Sequence, residues 1–124
     1  MNEPLAADLM ALESRGFIFQ RHPQPNGWTF VVFEGYPLPL GYNRSQSDLR
    51  VKVPPPYPMA ALDMFWMDPG LRLANGGLPA NTCLETYLGH EWLRFSWHPA
   101  KWRPGRDSLA SYLGFIERRL QQAS

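Results

Sequence analysis

The segment DLRVKVPPPYP, residues 48–58, sets the architecture of the chain. Leu49, Val51 and Val53 alternate with Asp48, Arg50 and Lys52, the two-residue period of a strand with one apolar and one polar face. A strand of that kind belongs to an antiparallel sheet that carries its helices on one side and meets water on the other. Pro54, Pro55 and Pro56 then remove three backbone donors in succession, and Pro58 restricts Tyr57, so the strand ends there.

Toward the N-terminus, Phe17 to His22 and Trp28 to Phe33 are rich in aromatic and β-branched residues. They flank residues 23–27, PQPNG, whose Asn26 and Gly27 favour a tight reversal, and the pair predicts a hairpin. Ahead of it, residues 3–14 place Leu5, Leu9 and Leu12 at helical spacing, with Gly16 positioned to stop the helix.

Toward the C-terminus, Leu62 to Met67 restores strand character and supplies a fourth strand. Asp68 to Thr82 holds Pro69, Gly70, Gly76, Gly77 and Pro79, which predicts a long irregular loop leading to Cys83, the one cysteine of the chain. Leu109, Tyr112, Leu113, Ile116 and Leu120 fall on one face of a helix, with Asp107 or Ser108 as its N-cap. The expected fold is therefore α+β over residues 1–124 as a single domain: an N-terminal helix, a four-stranded antiparallel meander, a loop leading to Cys83 and a C-terminal helix.

Composition narrows the function. Twelve Lys and Arg against eleven Asp and Glu give a net charge of +1, without the basic footprint that a phosphate backbone selects, so nucleic acid is not an expected partner. No apolar run approaches the roughly 18 to 20 residues that span a bilayer, and the first residues lack a signal-peptide layout, so no membrane association is expected. A single cysteine cannot form an internal disulfide, which reads as a reduced, cytoplasmic protein. Three histidines and one cysteine show no metal-ligand spacing, and no glycine-rich phosphate loop is present, so neither a metal nor another cofactor is expected.

Three pieces stand in a telling order: Pro56, Tyr57 and Pro58 after the third strand; Cys83, Leu84 and Glu85 after the loop; and Trp102, Arg103 and Pro104 before the last helix. Across residues 3–120 this order resembles the ubiquitin-conjugating enzymes, and more narrowly the small prokaryotic conjugating-enzyme-like proteins. The resemblance implies a UBC-like fold in which Cys83 accepts a ubiquitin-like protein as a thioester from an activating enzyme and passes it to a target protein. It also implies a role in bacterial anti-phage defence.

The His-Pro-Asn tripeptide of the eukaryotic relatives is absent, with residues 68–70, DPG, as the nearest echo. Asn75, eight residues before Cys83 as in the family's spacing, and Asn81, nearer in sequence, are the candidates for stabilising an oxyanion. His90 and His98 follow in an expanded segment from Thr86 to Lys101, and either could orient the thiol or deprotonate an acceptor.

The chemistry suits a thiol. Exchange of one thioester for another is nearly thermoneutral, and the sulfur serves as both nucleophile and leaving group. Each of these residues also has an ordinary reading: Cys83 as a small buried hydrophobe, Asn75 and Asn81 as turn residues, the histidines as surface groups. Two alternatives follow, a non-catalytic module of the same fold that holds a ubiquitin-like protein, and a small cysteine hydrolase using Cys83 with His90 or His98.

Overall fold

The computed structural model describes residues 3–87, 89–97, 101–104 and 106–122. Its elements are α1 (Glu3–Ser14), β1 (Phe19–Pro23), β2 (Thr29–Pro37), β3 (Gln46–Val53), β4 (Phe65–Met67), β5 (Thr82–Tyr87), β6 (His90–Phe95) and α2 (Leu109–Gln121). Among the described residues the strands form one antiparallel sheet in the order β1-β2-β3-β4-β6-β5.

The first four strands are the expected meander, but the sheet has six strands rather than four. The added pair is a hairpin that joins β5 and β6 from Thr82 against Phe95 to Tyr87 against His90. Its residues alternate as strands do, yet the preceding glycines and prolines mask that pattern. In consequence Cys83 lies on a strand at the sheet edge and not in the loop that leads to it. β4 is shorter than expected, because Met64 adopts a left-handed conformation (φ 58°) and its carbonyl accepts from the Tyr112 hydroxyl instead of joining the ladder.

Local chemistry explains the remaining boundaries. Gly27, at φ 90°, closes the β1–β2 turn, where the Trp28 amide donates to Asn26 Oδ1. Ser108 is the N-cap of α2, its hydroxyl accepting from the Ser111 amide while Ser111 Oγ receives the Ser108 amide.

Both helices pack on one face of the sheet. Leu5, Leu9 and Leu12 of α1 and Leu109, Tyr112, Leu113, Ile116 and Leu120 of α2 share one buried cluster with Val31, Phe33, Leu49, Val51, Val53, Phe65, Met67, Leu93 and Phe95. Tyr57 ties this layer to both helices: its hydroxyl donates to Asp8 Oδ2 and accepts from the Leu109 amide at 2.7 Å. Trp102 closes the same corner, with its indole N–H on the Pro58 carbonyl at 2.8 Å.

Four buried tyrosines make the fold sensitive to alkali. Burial, with Glu117 adding to it, pushes the Tyr36 hydroxyl up to about 12. Burial likewise raises Tyr42, Tyr57 and Tyr112, with Arg119 opposing the rise at Tyr42, the Asp8 hydrogen bond adding to it at Tyr57 and Asp63 adding to it at Tyr112. Unfolded tyrosine ionises near pH 10, so above that pH the unfolded chain holds fewer protons than the native one. The stability these groups protect is complete below about pH 10 and lost as pH rises beyond it, at up to about 1.4 kcal/mol per pH unit for each tyrosine. Urea midpoints measured by circular dichroism should hold near pH 9 and fall steeply between pH 10 and 11.5, and Tyr36→Phe should make that fall shallower.

Candidate functional site

Strand register places Cys83 on the sheet face opposite the helices. Gln20, Val32, Arg50, Trp66, Arg94 and Cys83 form one row across all six strands, while the next row, Phe19, Phe33, Leu49, Met67, Leu93 and Leu84, faces the helices. The thiol is half-buried.

That second face is less open than the alternation in β3 implies. Arg50 lies over the Trp92 ring at 4.1 Å and Phe30 at 5.5 Å, and Lys52 Nζ lies 5.2 Å from the Trp66 ring and 5.6 Å from Trp28. The aliphatic stems of the basic residues cover rings that would otherwise meet water, so Phe30 and Trp66 are buried on the polar side of the sheet.

Beside the thiol, Glu85 organises the face. One carboxylate oxygen accepts from Trp66 Nε1 at 3.0 Å and the other pairs with Arg94 Nη1, the residue directly across from Cys83. Glu85→Ala strands an indole N–H and a guanidinium and should lower stability by about 2 kcal/mol. Glu85→Gln keeps an acceptor for Trp66 and should cost about half of that. Guanidinium unfolding midpoints of the three proteins check both expectations.

The loop from Asp68 to Asn81 is tied down at both ends. At its start the Asp68 carboxylate holds Arg44 at 2.7 Å and the Asp48 amide of β3 at 3.3 Å. At its end the Ala80 carbonyl accepts from Nη2 of Arg119, a side chain of α2 only 1% exposed. Sequence reading missed Arg119 altogether. It sits three residues beyond Ile116 and therefore on the buried stripe, a signal hidden by its charge.

The predicted site residues are not all brought together. Asn81, two residues before Cys83, is in a left-handed conformation (φ 60°), and its carbonyl receives the Ser96 amide at 2.9 Å. Asn75 lies in a turn where its side-chain oxygen accepts from Gly77 at 2.9 Å. That turn is fastened to the segment after β2, through Ala74 on Gly41 and the Tyr42–Leu73 bridge, and not to β5. His90 shares a face with Cys83, but Cys83 pairs with Arg94, four residues along β6 from His90. At ~3.4 Å per residue the two are about 14 Å apart along the ladder, beyond hydrogen-bond reach. His98 lies outside the described residues.

The described residues thus combine a one-sided antiparallel sheet, a proline-ended third strand, a Tyr57 hydroxyl bonded to both helices and a half-buried thiol beyond a glycine-rich crossover. The model of prokaryotic E2 family E matches residues 5–123, and the chain belongs to that family. Searches of curated proteins and of solved structures returned no match. Membership implies a conjugating-enzyme-like role exercised with ubiquitin-like proteins and activating enzymes. No helix among the described residues is long and apolar enough to cross a membrane.

Proposed function

We propose that Cys83 is the acyl carrier of this protein: it receives the C-terminus of a ubiquitin-like protein as a thioester from an activating enzyme and passes it to a target protein. The observation that carries this reading is the place of the thiol, half-buried on an edge strand immediately beyond the glycine-rich crossover in a chain of this family. A protein-sized donor can approach an edge strand; it could not approach the packed helix side. Asn81 is the side-chain candidate nearest in sequence for stabilising the oxyanion formed during transfer.

Incubation with ATP and the ubiquitin-like protein and activating enzyme of the same genome should give a band shift on a non-reducing gel that dithiothreitol abolishes. Stable non-covalent co-elution without any such adduct would instead favour the binding-module reading. By analogy with related operons, the reading extends to anti-phage defence. Phage plating on cells that carry the whole gene set, with and without this chain, tests that extension.

A further inference from the structure

The two edges of the sheet are built differently. Pairing of Asn81 with Ser96 fixes the hydrogen-bonding phase of the β5–β6 hairpin: Cys83 and Glu85 direct their backbone groups toward β6, whereas Thr82, Leu84 and Thr86 direct theirs outward. β5 has no proline, and its one charged side chain, Glu85, is held by Trp66 and Arg94. On the opposite edge, pairing of Gln24 with Trp28 sets the phase of β1 so that Phe19, Arg21 and Pro23 face outward. Pro23 has no N–H to offer, and Arg21 and His22 lie on the same short strand, the usual devices against strand addition. Among the described residues one edge is blocked and the other left open, and the open one carries the thiol.

We propose that the free edge of β5 binds the extended C-terminal segment of the acyl donor as an added antiparallel strand, and that the Leu84 backbone N–H is the donor to the reacting carbonyl. The proposal rests on Cys83 being the acyl carrier. A tail whose C-terminus reaches Cys83 runs from the Tyr87 end of β5 toward its start, antiparallel to the strand. Its last residue then pairs with Leu84 and its third-from-last with Thr86, because these residues carry the outward groups.

In that register the terminal carbonyl oxygen accepts from the Leu84 N–H, and the carbonyl carbon points toward Cys83. The amide of the residue following a nucleophile is well placed for charge that develops on the attacked carbonyl. It supplies what the absent His-Pro-Asn tripeptide would otherwise provide. Exchange is balanced within the pair: the bond from Cys83 Sγ to the carbonyl carbon forms, the donor's carbon–sulfur bond breaks, and the departing thiolate takes up the proton lost by Cys83.

A synthetic heptapeptide α-thioester tests this without the unidentified partners, using charging rates divided by its rate with free glutathione. Leu84→Pro removes only an outward N–H, which an edge strand tolerates, and should slow charging about a hundredfold while Leu84→Ala stays within about threefold. On the unaltered protein, N-methylation of the third-from-last peptide residue deletes its bond to Thr86 and should slow charging about tenfold. This second measurement decides the matter should Leu84→Pro fail to fold. Charging of Cys83 that ignores both changes overturns the edge proposal and leaves the carrier role standing. An absence of charging by the peptide, and by the full donor and activating enzyme, overturns the carrier role itself.

Discussion

Replacing Arg119 by alanine should lower the melting temperature by about 10 °C, the largest stability loss expected from any single truncation of a polar side chain here. The guanidinium lies 4.6 Å from the Trp97 ring and 5.5 Å from Phe95, and it donates to the Ala80 carbonyl at 2.7 Å. Burial pulls its pKa down while the Tyr42 hydroxyl beside it pushes the other way. Truncation removes the stacking, leaves a cavity where the buried side chain was and takes the donor from the Ala80 carbonyl, which together cost about 3 kcal/mol. Arg119→Met refills most of the volume and should recover about half of that loss. Differential scanning calorimetry of the three proteins measures both. Because Ala80 lies three residues before Cys83, Arg119→Ala should also loosen the start of β5, read as faster amide exchange at Thr82 and Cys83 under native conditions.

The largest effect on activity belongs to Cys83→Ser. The change of one atom leaves the fold in place and turns the carrier from a thiol into an alcohol. Serine can trap the acyl group only as an ester, which dithiothreitol does not cleave and which transfers its cargo poorly. Transfer to a target should fall by at least about a hundredfold, and any adduct should survive reduction and yield to base. Gels run with and without dithiothreitol, followed by a hydroxide chase, give the comparison. Cys83→Ala should form no adduct at all. Unchanged transfer in either variant places the chemistry elsewhere.

The elements carried by a strong period were legible before any coordinates. β3 with its proline stop, α1 with its three leucines and α2 with its apolar stripe lie where their spacing put them. What the sequence hid was hidden by competing local signals. The β5–β6 hairpin follows a segment dense in glycine and proline, so its alternation read as an extension of loop, and with it went the position of Cys83 on a strand.

Similarly, the basic alternation of β3 read as a solvated face. Only the register of neighbouring strands shows Arg50 and Lys52 lying on Trp92, Trp66, Trp28 and Phe30. Arg119 was concealed by its charge, although its helical position marks it as buried. Of the site candidates, Cys83 and Asn81 fall together because they are near in sequence. Asn75 and His90 are separated from the thiol by a turn anchored on another loop and by four residues of ladder, distances that no spacing along the chain reveals.

Mass mapping of the charged protein tests the carrier role most directly. After reaction with ATP, donor and activating enzyme, free thiols are alkylated and the chain is digested at low pH without reductant. The donor's C-terminal remnant should sit on the peptide that contains Cys83 and leave it on treatment with dithiothreitol. A remnant found on a lysine or serine, with Cys83 fully alkylated in the same molecules, would contradict it.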